Sequence, residues 1–186
     1  MDLGGTKILI ALEDAEGNIL QSRKFTVSAE KGPAGILQDL LMRLTEFFRL
    51  DRKDIEGLGF CLAGYYDKGK EIMLGSPNLP GWENYPILRR LRDLFECPVV
   101  VENDANAAAW GEYRYGAGKG AKNILMVTLG TGVGCALIED GRLVHGERGL
   151  AGEIGHLPLL PRGGPLCGCG NTGCLESLAS GKAIAR

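Results

Sequence analysis

A short pattern occurs twice in this chain. Leu3-Gly4-Gly5-Thr6, followed by Ala11-Leu12-Glu13-Asp14 and Gly17, is echoed by Leu129-Gly130-Thr131-Gly132, followed by Ala136-Leu137-Ile138-Glu139-Asp140-Gly141. Each copy reads as a glycine-rich turn, an apolar strand, an acidic turn and a second apolar strand. A chain patterned this way is expected to form two related halves. Each half presents a Gly/Thr turn, and the two turns could face one another across a cleft.

Between and around the copies, strands and helices alternate, which makes the fold class α/β. The apolar runs Ile8 to Leu12 and Ile19 to Val27 read as strands. Gly32-Pro33 opens a helix whose apolar positions, Ile36, Leu37, Leu40, Leu41, Leu44, Phe47 and Phe48, recur at helical spacing to about Leu50. Ile55 to Leu62 predicts a buried strand that ends in Ala63-Gly64, ahead of a polar loop containing Ser76-Pro77-Asn78-Leu79-Pro80-Gly81-Trp82. That loop is long enough to be functional. Pro86 starts a short helix to Phe95, Pro98 to Val101 forms a strand stopping at Glu102-Asn103-Asp104, and Ala105 to Tyr115 is helical. Gly116-Ala117-Gly118-Lys119-Gly120 punctuates the chain, and the expected domains are 1–118 and 119–186.

Composition narrows the partners. With 45% hydrophobic residues over 186 positions the chain can bury a real core. Its 21 basic and 23 acidic side chains, net charge -2, form no basic run, so neither nucleic acid nor an anionic membrane surface is expected as a partner. No run approaches the roughly 18 apolar residues of a spanning helix, and the start lacks a signal-peptide layout. A cytoplasmic location is therefore expected. Glycine occurs 29 times, roughly twice its usual share, and clusters at the ends of apolar runs.

Three of the six cysteines fall within eight residues. Without a secretion signal a disulfide framework is disfavoured, which leaves metal binding or free buried thiols. His156, Cys167, Cys169 and Cys174, at intervals of eleven, two and five, supply one imidazole and three thiolates, a complete tetrahedral zinc set. A closed set makes the metal structural. Glycines 163, 164, 168, 170 and 173 would let the backbone fold around it, and the two cysteines of Cys-Gly-Cys are poorly placed to bridge each other. Cys61, Cys97 and Cys135 lie in apolar runs and read as core residues. Glu153 and Glu176 flank the cluster; carboxylates so held can bind sugar hydroxyls, although solvated surface charge is the usual fate of Glu. His145 reads as surface or structural.

Two further places carry chemistry. Asp2-Leu3-Gly4-Gly5-Thr6-Lys7 joins a carboxylate to small residues that let backbone N–H groups approach a phosphate, or forms a tight strand-to-strand turn and nothing more. Residues 130–135 lack the third glycine of G-x-G-x-x-G, and no G-x-x-x-x-G-K-[ST] occurs, so Rossmann and Walker-type sites are disfavoured. Glu102-Asn103-Asp104 sits where a strand ends and a helix begins, a place where ligands meet open α/β sheets. Asn103 or Asp104 could cap the helix there. Asp104 could also accept a proton from a substrate hydroxyl.

Taken together, Asp2 to Lys7, Glu102-Asn103-Asp104-Ala105-Asn106, Leu129 to Gly134, and Gly155-His156 through Cys167-Gly168-Cys169-Gly170-Asn171-Thr172-Gly173-Cys174-Leu175-Glu176 resemble the ROK family of sugar kinases and repressors. The resemblance covers essentially the whole chain. It implies an actin-like ATPase fold of two ribonuclease-H-like domains, the second incomplete and carrying a zinc-binding loop, with ATP and a hexose bound in the interdomain cleft. Asp104 would be the general base on the sugar 6-hydroxyl, and Asn103, Glu153, His156 and Glu176 would hold the sugar ring, joined by Gly64 and Asn78. Gly4, Gly5, Thr6 and Lys7, with Gly130, Thr131 and Gly132, would line the ATP phosphates, and Asp2 would help position Mg2+ through water. His156 would ligate zinc through one ring nitrogen and donate to the sugar from the other.

The resemblance implies a glucokinase-like ATP-dependent hexose kinase, with N-acetylmannosamine, N-acetylglucosamine, fructose and allose as rival acceptors. A sugar-sensing repressor and a zinc-stabilised sugar-binding module without catalysis are the alternatives of other classes. Homo-oligomers are also implied. Family members usually carry several apolar residues before the first Asp, whereas Met1 directly precedes Asp2, and the chain stops at Arg186 within an expected helix from Leu175. A fragment of a longer kinase, weak in ATP binding and turnover on its own, is the resulting expectation.

Overall fold

The computed structural model describes residues 1–76 and 78–186. Pro77 of the expected functional loop lies outside them. The chain packs as two units, Met1–Asp104 and Ala105–Arg186.

The first unit begins with a meander: β1 (Asp2–Leu3), β2 (Lys7–Glu13) and β3 (Ile19–Thr26) pair antiparallel in order. Alternation buries Ile8 and Ile10 on one face of β2 while Lys7 and Leu9 are exposed. Helix α1 (Gly32–Arg43) starts with Pro33, whose missing N–H costs nothing in a first turn, and buries Ile36, Leu37 and Leu40. It runs on into a single π turn, Leu44–Phe48, closed by left-handed Arg49. The expected helix to about Leu50 therefore ends on a wider turn. That turn sets Phe47 against Phe25 at 5.1 Å between rings, under the guanidinium of Arg23.

Strand β4 (Leu58–Leu62) pairs parallel with β1, and a hairpin of β5 (Tyr65–Asp67) and β6 (Ile72–Gly75) follows. The hairpin corrects the expectation of an irregular polar loop after Gly64. Helix α2 (Ile87–Phe95) buries Ile87, Leu88, Leu91 and Phe95 and ends on left-handed Glu96. Strand β7 (Val99–Asn103) then pairs parallel with β4, which completes a five-stranded sheet in the order β3-β2-β1-β4-β7. Its core is continuous and includes Leu3, Phe60, Leu62, Met73, Trp82 and Phe95. Each such side chain contributes about 1.5–3 kcal/mol by leaving water.

In the second unit α3 (Asp104–Tyr115), which begins on the last residue of the first, precedes β8 (Ile124–Leu129), β9 (Val133–Glu139) and β10 (Arg142–Leu143). These strands form an antiparallel meander ordered β10-β9-β8, the same arrangement as β3-β2-β1. The short sequence echo thus corresponds to the same supersecondary unit in both halves. Ala109 packs with Ala136 and Ile138, so α3 groups with the second unit and the packing division falls ahead of this helix, whereas the sequence boundary at 118/119 follows it. The expected helix from Leu175 to Arg186 is two helices, α4 (Leu175–Ala179) and α5 (Gly181–Ile184), broken at extended Ser180. Among the described residues no helix is long and apolar enough to cross a membrane.

Candidate functional site

Three parallel strands end together in the first unit. Leu3, Leu62 and Asn103 are register partners across β1, β4 and β7, so the residues that follow them emerge at one sheet edge. These are Gly4-Gly5-Thr6, Ala63-Gly64 and Asp104. Such an edge, beyond the carboxyl ends of parallel strands, is where open α/β sheets receive ligands.

Local chemistry builds each part of that edge. The first turn is closed by the Gly4 N–H donating to the Lys7 carbonyl at 2.9 Å, and Thr6 accepts from Val27 N–H at 2.9 Å. A Cβ on Gly5 would stand 2.8 Å from both Cβ and the carbonyl oxygen of Asn78. The missing side chain therefore lets the loop bearing Asn78 lie directly on the turn. Gly64 has φ 151°, and a Cβ there would collide with Met73 and with the Gly75 carbonyl. The Gly64 carbonyl accepts from Asn103 Nδ2 at 3.1 Å. Ser76 Oγ donates to the Ala63 carbonyl at 2.6 Å and accepts from Asn78 N–H at 3.2 Å. Gly64, Asn78 and Asn103 are thus brought together, with Asp104 next along the chain and exposed at the positive end of α3. Ser76 is the organising residue that sequence reasoning missed. A serine two residues before Asn78 was the available signal.

The opposite face of the same strand ends gathers acidic groups. Asp2, Cys61 and Glu102 are register partners. Burial pushes the Cys61 thiol up, and the carboxylates of Asp2, Glu102 and Asp104 add to the effect. Glu102 accepts from Asn103 N–H at 3.0 Å, and its other oxygen lies 4.0 Å from Lys68 Nζ. Cys61 is half-buried beside carboxylates, a setting its apolar run did not disclose; Cys135 is buried as expected, and Cys97 is half-buried against the core.

The second unit holds the other glycine turn, Gly130-Thr131-Gly132, between β8 and β9. Gly130 N–H donates to the Gly132 carbonyl at 3.0 Å, and the Gly130 carbonyl accepts from Gly181 N–H at 2.8 Å. Val133 N–H donates to Glu176 Oε2 at 3.0 Å. The break at Ser180 has its cause here. An unbroken helix could not offer the Gly181 N–H to the turn, and a Cβ on residue 181 would approach the Gly130 oxygen to 2.7 Å. Ser180 Oγ caps the next helix by accepting from Ala183 N–H.

The cluster expected from spacing assembles. The ligand atoms of His156, Cys167, Cys169 and Cys174 all lie within 4.8 Å of one another. Cys167 Sγ is 3.6 Å from His156 Nδ1, and Cys169 Sγ is 3.8 Å from Cys174 Sγ. Tetrahedral zinc, with Zn–S near 2.3 Å and Zn–N near 2.05 Å, requires about 3.75 Å between sulfurs and about 3.55 Å from sulfur to nitrogen. The donor set fits that metal, and the same spacings rule out disulfide bonds. Burial and the neighbouring Cys169 and Cys167 push the Cys174 thiol well up. The loop is tight: Gly173, at φ 65°, donates to the Pro165 carbonyl at 2.8 Å, and a Cβ on it would overlap Leu160. His156 Nε2, the nitrogen pointing away from the thiols, is 3.8 Å from Glu153 Oε2.

Known proteins resemble this chain along its whole length. Glucokinase of Streptomyces coelicolor is 42% identical over 186 residues, which are 100% of this chain and 57% of that protein. An N-acetylmannosamine kinase of Escherichia coli is 37% identical over 185 residues, 100% of this chain and 62% of that one. The crystal structure of a ROK family glucokinase from Streptomyces griseus, in complex with glucose and AMPPNP, superposes with a TM-score of 0.86 at 41% identity, covering 100% of this chain and 57% of that one. The fold is accordingly the mixed α/β, actin-like fold of ROK sugar kinases, over a little more than half their length. The ROK family model matches residues 1–186, both glycine turns and the cysteine loop included, and the chain belongs to the ROK family.

Proposed function

We propose that the protein works as an ATP-dependent hexose kinase that transfers the γ-phosphoryl group of ATP to the 6-hydroxyl of glucose. One observation carries this reading: Asp104 follows β7 at the sheet edge where the Gly4-Gly5 turn, Gly64, Asn78 and Asn103 gather. A carboxylate there can take the proton of a sugar hydroxyl as that oxygen attacks phosphorus. Asn103, Gly64 and Asn78 would offer amide and carbonyl groups to the ring. Glu153, His156 and Glu176 would supply further hydroxyl contacts.

Each glycine turn, Gly4 to Lys7 and Gly130 to Gly132, would line the ATP phosphates and offer backbone N–H groups other than those of Gly4 and Gly130, which close the turns themselves. Asp2 would hold Mg2+ through water, and Mg2+ neutralises phosphate charge when bound. His156, Cys167, Cys169 and Cys174 would hold zinc, whose contribution is to fix the loop between Glu153 and Glu176. The domains expected at 1–118 and 119–186, with α3 packing in the second unit, would provide the two halves, and an ATP donor suits the cytoplasm. Self-association into homo-oligomers belongs to the same reading.

A second acceptor class, the N-acetylhexosamines, is favoured by the likeness to the N-acetylmannosamine kinase. A coupled assay with ATP, Mg2+ and glucose, N-acetylmannosamine, N-acetylglucosamine, fructose and allose decides between them. It is run on this chain and on a form extended to the length of the relatives. Glucose should give the highest kcat/KM, and Asp104→Asn should lower kcat by about 100-fold or more. An unchanged rate in Asp104→Asn would overturn the assignment of the base. Sugar binding without turnover in either form would favour the binding module.

A further inference from the structure

The peptide group of Val133, first residue of β9, is gripped from two directions. Its N–H donates to Glu176 Oε2 at 3.0 Å. Its carbonyl lies so close to Gly155 that a Cβ there would overlap it. Gly155 immediately precedes His156, and Glu176 follows Cys174 by two residues. Both grips therefore start from ligands of the Cys/His cluster. Glu176 also lies beside the cluster, its Oε1 4.0 Å from the Cys167 sulfur. Its Oε2 fills the space that a Cβ on Gly132 would take, so a side chain at position 132 would displace the carboxylate.

We propose that Glu176 is a positioning residue that couples the His156/Cys167/Cys169/Cys174 cluster to the Gly130-Thr131-Gly132 turn. The bond it accepts is charge-assisted and aimed at the first backbone donor after the turn. Filling the cluster fixes Cys174, hence the start of α4, hence the carboxylate, and with it the exit of the turn. The Gly181-to-Gly130 bond holds the entrance from the same segment. Loss of metal frees both ends together. The functional meaning rests on the turn being a phosphate site: the cluster then serves the nucleotide as well as the sugar.

Amide hydrogen exchange tests the coupling on the full chain, zinc-loaded and chelator-stripped, with no nucleotide or sugar present. Zinc should slow exchange at the Val133 amide by about tenfold or more, as expected for a hydrogen bond to a charged group. Glu176→Ala should still fill its cluster, read from the thiolate-to-metal absorption of Co2+, yet show the same Val133 exchange with and without metal. Glu176→Gln retains an acceptor oxygen and should keep most of the response; this variant decides the matter should Glu176→Ala fail to fold. The proposal is overturned by a wild-type chain that binds no zinc, by one whose Val133 exchange ignores zinc, or by a Glu176→Ala chain that responds as wild type does. Because the readout needs no turnover, a chain that phosphorylates no hexose still shows whether cluster and turn are coupled.

Discussion

Asn103 donates through Nδ2 to the carbonyl of Gly64 at 3.1 Å, which ties the residue before the candidate base to the loop that leaves the neighbouring parallel strand. The bond holds in one geometry the two segments proposed to meet the sugar. Asn103→Ala should cost about 1 kcal/mol of stability and raise KM for the hexose by about tenfold with little change in KM for ATP. Asn103→Asp should do worse on both counts, because it turns a donor into an anion facing a carbonyl. Urea denaturation and the two KM values check this, and a larger effect on ATP than on sugar would contradict it.

Gly64 is fixed by both backbone and space. At φ 151° a side chain is strained by about 1–3 kcal/mol, and a Cβ would also meet Met73 and Gly75. Gly64→Ala should therefore destabilise the chain by about 3 kcal/mol and weaken sugar binding. Gly59, whose Cβ would meet nothing within 4 Å, is the control, and Gly59→Ala should be nearly neutral. Equal midpoints for the two variants would refute the steric account.

The parts of the site that sequence disclosed are those with local chemical signatures. The glycine turns, the Glu102-Asn103-Asp104 strand end and the Cys/His spacing each announce themselves within about twenty residues. Elements decided by distant partners did not. The β5–β6 hairpin has strands of only three and four residues with an irregular register at Tyr65/Tyr66, and Met73 bridges to Tyr85, so no alternation was visible in the charged stretch between them. Residues 175–186 carry a continuous helical composition, and the break at Ser180 follows from the bond between Gly181 and the distant carbonyl of Gly130. Likewise, Glu176 read as a sugar ligand from its position after the cysteines, and its bond to Val133 required the fold.

Metal removal should destabilise the second unit. One zinc per chain is expected by elemental analysis, falling to near zero in Cys167→Ser and unchanged in Cys97→Ser, since Cys97 lies outside the cluster. A thousandfold excess of metal over Kd is worth about 4 kcal/mol, or roughly 8–16 °C in Tm for a chain of this size. A chelator should remove that increment in the parent and none of it in Cys167→Ser. An identical response in the two would place the stabilisation elsewhere.

Alkaline pH offers a separate test of the first unit's core. Burial raises the Tyr66 phenol from 10.0 to about 12, with Glu71 the next contributor, and burial also raises the Cys61 thiol from 9.0. Both groups hold their protons more tightly in the folded chain than in the unfolded one. Their contribution is fully present below about pH 9 and is lost as pH rises, because the unfolded chain ionises first and the folded chain must resist ionisation. Stability should thus fall from about pH 9 onward and continue falling toward about pH 12 through Tyr66. Tyr66→Phe keeps the ring and removes the phenol, so its stability curve should be flatter than the parent's above about pH 10. Parallel curves for parent and variant across that range would show that Tyr66 ionises no later in the folded chain than in the unfolded one.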